Sequence, residues 1–224
     1  PPPPILKRRQ PATHKVRHKP TSKIKAIVKA PRKTRACPGG MVGVKAGVFN
    51  MGSGKSDPMR GFGDLNLKKK RVGAYCIDEW EYPNRRAKRP GTHVSWFTAR
   101  KLCEKAGKRL CTEAEWEKAC KGPKNNRFAS GRNQDAKRCR IGGSAKARNI
   151  GANSACKSGL GVFDLSGNVA EWTASQWSND LTDRVIKGGA AGQADYTARC
   201  AARTNDRASS KGANIGFRCC KSLN

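Results

Sequence analysis

Acidic residues are scarce in this chain. Only 16 of its 224 residues are Asp or Glu, whereas 47 are Lys or Arg, so the formal net charge at pH 7 is +31. The surplus is spread along the sequence, because the first 37 residues hold twelve Lys or Arg and no acid, and the remainder is basic as well. Such a field attracts polyanions in a salt-dependent way. The simpler explanation of the charge is solubility alone.

Long apolar runs are also missing. No stretch approaches the roughly 18–20 apolar residues that a membrane-spanning helix needs. The chain opens PPPPILKRRQ, without the charged start and apolar stretch of a signal peptide. We therefore expect no membrane span in this segment, and a numbering that begins inside a longer or processed product.

Metal-ligand spacings are rare. His14 and His18 are four residues apart, which suits a metal on a helix, but they lie in a proline-rich segment where a preformed helix is not expected. There is no CxxC pair, and Cys219 and Cys220 are adjacent, so the ten cysteines do not predict a zinc site. Their even number in a glycine-rich chain predicts disulfides and an exported protein, in the periplasm or at the cell surface.

Residues 1–36 differ in composition from the rest of the chain. They contain no aromatic residue and no acid, and six of the first twenty are proline. Such a segment buries too little apolar surface to offset its ordering entropy and runs extended. We expect a basic, proline-rich arm that binds an acidic protein partner or a polyanion as part of a larger assembly. The arm residues assigned to this contact are Lys7, Arg8, Arg9, Lys15, Arg17, Lys19, Lys23 and Lys25.

Residues 37–224 are expected to form one folded domain. Apolar and polar residues alternate over Gly39–Ser53, which predicts a hairpin with its turn near Lys45–Gly47. A further strand is predicted over Lys68–Asp78.

Two helices are predicted in the middle of the chain. The first begins at Ser95 and has Gly107 at its C-terminal cap. The second begins at Thr112, and Glu115 three residues later completes a capping box. From these patterns alone the chain is a disulfide-rich α+β domain.

Three segments resemble the formylglycine-generating enzyme, or sulfatase-modifying factor, family. They are GTHVSWFTARKLCEKAGKRLCTEAEWEKAC at residues 91–120, GVFDLSGNVAEWT at residues 161–173, and KGGAAGQADYTARCAARTNDRASSKGANIGFRCC at residues 187–220. They occur in the family's order, and the resemblance covers roughly Gly39 to Cys220. It implies an irregular, C-type-lectin-like α+β fold with few helices and twisted antiparallel sheets.

The resemblance also implies disulfides. The family's pairings correspond here to Cys103–Cys219 and Cys120–Cys200, each of which ties a helix to the C-terminal strands. For the other six cysteines, fifteen pairings are possible. Cys139–Cys156 is favoured because it brackets a short loop, Cys37–Cys76 would join the N-terminal strands, and Cys111–Cys220 is what then remains.

Calcium is the second implication of the resemblance. Family ligands correspond to side-chain oxygens of Asp164 and Glu171 and to backbone carbonyls of Gly167 and Val169, the oxygen donors that a hard cation prefers. The alternative is that Glu171 pairs with one of the many basic side chains. A second family site would begin at Asn149–Ile150, but its downstream Asp-x-Phe segment has no counterpart here.

The family's catalytic positions are where this chain departs. The family enzyme binds copper through two cysteine thiolates and oxidises a substrate cysteine with oxygen. Counted back from Cys200, those positions hold Ala190 and Asp195. Alanine offers no ligand and a carboxylate is a poor substitute for a soft thiolate, so no redox metal is expected. A sister branch of the family holds iron with three histidines. Apart from His14 and His18, this chain has one histidine, His93, which is predicted in a loop.

Five tryptophans could suggest stacking on sugars or bases. The resemblance implies that Trp96, Trp116 and Trp172 belong to the core. It assigns neither a core nor a stacking role to Trp80 and Trp177.

The main hypothesis is a non-catalytic recognition or scaffold module of an exported assembly. The first alternative is an oxidoreductase with rearranged chemistry around Asp195, Tyr196, Arg199 and Arg203. The second is a nucleic-acid-binding protein, which the basic charge favours and the disulfides disfavour.

Overall fold

The structure, a computed structural model, describes residues 36–143, 145–179 and 181–223. The predicted basic arm, with its assigned binding residues, His14 and His18, lies outside the described residues except for Ala36. None of the helices within the described ranges has the length and apolar composition to cross a bilayer.

Ten short strands, two α-helices and one 3₁₀ turn make up the described part of the domain. The strands are β1 (Met41–Val44), β2 (Gly47–Met51), β3 (Lys68–Val72), β4 (Tyr75–Asp78), β5 (Arg109–Leu110), β6 (Ala170–Gln176), β7 (Asp183–Lys187), β8 (Thr204–Arg207), β9 (Ile215–Phe217) and β10 (Cys219–Ser222). The helices are α1 (Trp96–Lys105) and α2 (Glu113–Lys121), and the 3₁₀ turn is Asp195–Ala198.

The strands form three sheets. One has the order β1-β4-β10-β5, the second contains β2 and β3, and the third has the order β8-β7-β6-β9. All pairs are antiparallel except β6 with β9. With few helices and small, mostly antiparallel sheets, the predicted irregular α+β class is confirmed.

The predicted hairpin over Gly39–Ser53 is wrong. Both strands form, but β1 pairs with β4 and β2 pairs with β3. The predicted strand Lys68–Asp78 is in fact two strands, interrupted at Gly73 and Ala74. Strands β3 and β4 belong to different sheets. Strand β1 pairs with β4 and strand β2 pairs with β3, so β1 and β2 do not pair with each other.

The two helices begin where the sequence predicts. The Ser95 side chain accepts a hydrogen bond from the Thr98 N–H at the start of α1. Thr112 and Glu115 form the reciprocal capping box at the start of α2. Gly107 lies one residue beyond the Ala106 cap with φ 66°, a left-handed conformation that glycine adopts without strain.

The core lies between the sheets and the helices. Trp96, Trp116 and Trp172 are buried, as predicted from the resemblance. Trp80 stacks on Phe163 with ring centroids 5.7 Å apart. Trp177 is half-buried beneath an arginine described below.

All ten cysteines are paired. The disulfides are Cys37–Cys76, Cys103–Cys219, Cys111–Cys220, Cys120–Cys200 and Cys139–Cys156. They include the two pairs implied by the resemblance and the Cys139–Cys156 pair favoured from the sequence. Cys37–Cys76 and Cys111–Cys220 are the pairs that the sequence suggested after these. Adjacent Cys219 and Cys220 attach β10 to α1 and to the segment after β5, so the C-terminal strand is fixed on both sides.

Candidate functional site

The predicted calcium segment and the segment with the two catalytic positions lie side by side. The Gly167 N–H donates to the Gly188 carbonyl at 2.8 Å, and the Ala191 N–H donates to the Asn168 carbonyl at 3.0 Å. Gly167 also lies against a third segment, where glycine is needed because an ideal Cβ on Gly167 would lie 2.1 Å from the Arg140 carbonyl oxygen. The site is therefore built from the loops that precede β6 and follow β7.

Ala190 is buried in an apolar cluster that includes Trp96 and Phe217, and only 1% of its surface is exposed. Its backbone N–H donates to the Gln193 side-chain oxygen at 2.8 Å. A methyl group in this setting has no donor or acceptor to offer a metal or a substrate.

Asp195, which corresponds to the family's second catalytic position by the sequence resemblance, begins the 3₁₀ turn and is half-buried. Its carboxylate lies against the backbone of Gly142, where an ideal Cβ would come within 2.5 Å of Asp195 Oδ1. The position thus holds a hard oxygen donor at the surface. No other thiol replaces the missing pair, since every cysteine of the chain is in a disulfide.

Arg199 is fully buried and forms a structural ion pair. Its guanidinium reaches both oxygens of Asp64, at 2.6 and 3.2 Å. Burial raises the pKa of the Asp64 carboxyl, but hydrogen bonds from Arg199 and Ser53 outweigh it and hold the pKa below its usual value. Arg199 is therefore occupied within the core.

Arg203 is engaged in the same way. Its guanidinium donates to both oxygens of Glu113, at 2.7 and 3.1 Å, and lies 4.2 Å from the Trp177 ring centroid. Tyr196 is 52% exposed. Of the residues that the oxidoreductase hypothesis names, only Asp195 and Tyr196 present side chains at the surface without a strong partner among the described residues.

Glu171 accepts hydrogen bonds from Arg218 and from Trp116. The Arg218 contacts measure 2.6 and 2.8 Å to its two oxygens, and Trp116 Nε1 lies 2.7 Å away. Glu171 and Arg218 are both fully buried. The guanidinium of Arg218 thus already compensates the Glu171 carboxylate. This arrangement is the alternative to calcium binding considered above, in which Glu171 pairs with a basic side chain.

Two further buried carboxylates lie close to this pair. Glu81 accepts from the Asn168 side chain at 2.9 and 3.1 Å. Burial, with the negative charges of Asp164 and Glu171, raises the pKa of Glu81 well above its usual value, although Arg218 opposes the shift. Burial also raises the pKa of Asp164 to about 6. Three carboxylates therefore share one guanidinium.

Three buried carboxylates beside one guanidinium leave an excess of negative charge, which fits a bound cation in part. Among the described residues, Asp164 accepts one hydrogen bond, a 3.4 Å contact from the Gly151 N–H, so its charge is poorly compensated there. Within the described ranges, however, no three His, Cys, Asp or Glu side chains gather in a metal-binding arrangement. Asp164 and the Gly167 and Val169 carbonyls are the donors that would hold calcium here, and Glu171 is directed to Arg218.

Ile150, where a second family calcium site would begin, and His93 are the remaining predicted positions. Ile150 is buried, and its carbonyl accepts from the Ala87 N–H at 2.9 Å, so that oxygen is engaged. His93 is exposed on the loop that enters α1, as predicted.

Comparison with known proteins decides the family. The model of the sulfatase-modifying factor enzyme 1-like domain matches residues 26–223. This chain belongs to that family.

The relatives within the family include active and inactive members by name. The chain is 33% identical over 178 residues to a mouse formylglycine-generating enzyme, covering 62% of this chain and 48% of that protein. It is 37% identical over 148 residues to a bovine protein named inactive C-alpha-formylglycine-generating enzyme 2, covering 58% of this chain and 49% of that protein. The chain thus spans about half the length of the curated relatives it matches.

A solved structure shares the fold. PvdO from Pseudomonas aeruginosa superposes with a TM-score of 0.70 at 20% identity, covering 82% of this chain and 94% of that one. At this identity the likeness supports the family fold and nothing finer.

Sequence reasoning missed the buried charge network beside the site. Lys187 Nζ lies 3.1 Å from Glu117, and Lys121 Nζ lies 2.9 Å from the same carboxylate, with all three side chains buried. The available signals were Lys187 at the end of the strand segment RVIK, and Glu117 and Lys121 in the helix segment EKACK. Nothing local distinguishes them from solvent-facing residues.

Proposed function

We propose that this chain is a non-catalytic recognition module with the formylglycine-generating-enzyme fold, which binds an acidic partner within an exported assembly. The observation that carries the proposal is the chemistry of the two catalytic positions. A buried methyl group at Ala190 and a carboxylate at Asp195 stand where the family's thiolates would be, and all ten cysteines are in disulfides. Soft thiolate ligation of copper has no donors left.

Two further observations support a role in binding. The inactive name of the bovine relative is compatible with a family member that has no oxidase chemistry. The net charge of +31 favours acidic partners. The basic arm, with Lys7, Arg8 and Arg9 among its charges, is proposed as one contact in a larger assembly.

The disulfides support the proposed compartment. Five disulfides that pair all ten cysteines indicate an oxidising environment. We propose the periplasm or the cell surface. Alkylation of intact cells with a permeant thiol reagent should label none of the ten cysteines before reduction, whereas labelling would place the protein in a reducing compartment.

Catalysis is tested directly. The purified full chain is incubated in air, with and without added copper, with a cysteine-containing peptide, and aldehyde is measured by hydrazide capture and mass spectrometry. We expect no aldehyde above a protein-free control and less than one bound copper or iron per chain. Aldehyde formation, or one redox metal per chain, would reject the non-catalytic assignment in favour of rearranged chemistry at Asp195 and Tyr196.

Calcium is proposed as a structural cation at Asp164, Gly167 and Val169, where it would balance buried negative charge. A ligand that binds only the folded state stabilises it by about 2.7 kcal/mol at one hundred times its Kd. We expect calcium to raise the unfolding temperature of chelator-treated protein and Asp164→Ala to abolish that rise. Asp135→Ala, on a surface loop, is the matched control. A calcium response retained in Asp164→Ala would place the ion elsewhere, and no response in the parent chain would remove the assignment.

A further inference from the structure

Strand β3 is the most basic element of the described fold. Its first four residues are Lys68, Lys69, Lys70 and Arg71, and all four are exposed. Its partner β2, with sequence GVFNM, carries no charge. The described residues offer no ion pair to any of the four, whereas Lys108, Arg127 and other basic side chains are paired with carboxylates.

A cavity of about 630 Å³ lies beside this ribbon, which consists of β2 and β3. Among the described residues three lysines line it, Lys45 before β2, Lys69 on β3 and Lys118 on α2, and none of the described lining residues is acidic. The volume falls within the range of ordinary ligand sites. The cavity is therefore a concave surface of one charge sign.

Lys118 is held in place at the cavity wall. Its Nζ donates to the Lys45 carbonyl at 2.7 Å and to the Gly47 carbonyl at 3.4 Å. An ammonium has three N–H donors, so one remains after these two contacts. The carbonyls of the β1–β2 connection fix the ammonium without neutralising its charge, which leaves a positioned cation for an anionic ligand.

The same cavity has an apolar wall. Val48, Phe49 and Leu160 contribute to its lining, and Val48 is 50% exposed. A sulfated or phosphorylated polymer would meet the lysines but leave this wall unmatched. A polypeptide segment offers carboxylates and an apolar side chain together.

The sheet geometry also suits a peptide. β2 and β3 form a sheet of two strands, so within the described residues their outer edges pair with no further strand. An extended segment can add to such an edge through backbone hydrogen bonds, while alternate side chains enter pockets.

We propose that the β2–β3 ribbon and its cavity bind an extended acidic polypeptide segment with an apolar side chain between its carboxylates. The apolar side chain contacts Val48, Phe49 and Leu160, and the flanking carboxylates meet Lys45, Lys69 and Lys118. This rests on the proposed recognition function and specifies the site and the chemistry of the partner.

The test uses the full chain and a fluorescein-labelled peptide, Glu-Glu-Leu-Glu-Glu, by fluorescence anisotropy at about 0.01 M and about 0.15 M salt. Lys45→Glu with Lys69→Glu should weaken binding about tenfold or more, because two attractive contacts become repulsive. Lys101→Glu with Lys105→Glu, an equal charge change on exposed residues of α1, is the matched control and should change binding less than about twofold. Unchanged unfolding temperatures in both variants establish that the fold is kept.

A second set of probes tests the chemistry of the occupant. Replacing the peptide's Leu with Gly should weaken binding about threefold to tenfold, because it removes the apolar contact. Dextran sulfate or a DNA oligonucleotide that binds tighter than the peptide, and loses affinity in the Lys45–Lys69 variant, would overturn the peptide assignment.

The outcomes also separate this site from the proposed function. Equal losses in both charge variants would mean diffuse attraction, so the site would be wrong while recognition of acidic partners would stand. No peptide binding even at the lower salt, together with aldehyde formation, would reject the recognition function itself.

Discussion

Several charged side chains are buried in this interior, each beside an opposite charge. Arg199, Arg218 and Lys187 are each at most 1% exposed, and each faces at least one carboxylate. Removing one partner of such a pair leaves an uncompensated charge in a poorly solvated place, which costs more than the pair contributes. These residues therefore act through the fold and are not available to a substrate.

Asp64→Ala tests this view of Arg199. We expect a loss of about 3–5 kcal/mol in the free energy of unfolding, because Arg199 stays buried with only the long 3.9 Å contact to Asp57 left. Urea unfolding with the disulfides intact measures it. Glu104→Ala, which breaks the exposed Arg100–Glu104 pair on α1, should stay within about 1 kcal/mol. Similar small losses in both variants would mean that Arg199 finds another partner.

The pH dependence has a definite sign at Asp64. Because the pKa of the folded state is lowered, the unfolded chain binds more protons as pH falls below about 4. The stabilisation is present above that value and is lost as pH falls through the folded pKa. Unfolding free energies measured from pH 6 downward should therefore decline faster in the parent than in Asp64→Asn. Parallel declines would assign the acid sensitivity to other carboxylates.

The elements of the fold differ in how far the sequence predicts them. The helices α1 and α2 carry their start signals in Ser95, Thr112 and Glu115, within one turn of the positions they specify. The strands β1 and β2 were predicted but wrongly paired, because alternation shows which side chains can face a core and not which strand lies alongside. Strand pairing here depends on residues far apart in sequence, as when β10 pairs with both β4 and β5.

The capping box of α2 gives a prediction for one element. Thr112→Ala removes the side-chain acceptor for the Glu115 N–H and should cost about 1 kcal/mol. Thr112→Ser keeps the hydroxyl and is the control, expected to change the unfolding free energy by less than about 0.5 kcal/mol. If serine costs as much as alanine, packing of the threonine methyl group and not capping is responsible.

Three of the five disulfides, Cys103–Cys219, Cys111–Cys220 and Cys120–Cys200, link the C-terminal part of the chain to its middle. Cys103–Cys219 spans 116 residues, whereas Cys139–Cys156 spans 17. In the chain-entropy model the longer closure stabilises more, by about 1.7 kcal/mol for these two lengths. The cross-links also attach both helices to the C-terminal half, and that half supplies the site loops.

The two disulfides can be compared by removing each one. Replacing both cysteines of a pair with alanine should destabilise the Cys103–Cys219 variant more than the Cys139–Cys156 variant, as measured by urea unfolding of each protein. All four sulfurs are buried, so the packing loss is similar in kind. The reverse order would mean that local packing, and not closure of the unfolded chain, dominates.

The sequence by itself determined the family, the helix starts, the basic charge and the absence of thiolates at positions 190 and 195, because residue identity and short-range spacing are sufficient for each. Only the tertiary structure decided that Arg199 meets Asp64 from 135 residues away, that Glu171 meets Arg218, and that Lys45, Lys69 and Lys118 share one cavity. These contacts join residues distant in sequence, and the packing of the whole chain selects them, so no local pattern could have predicted them.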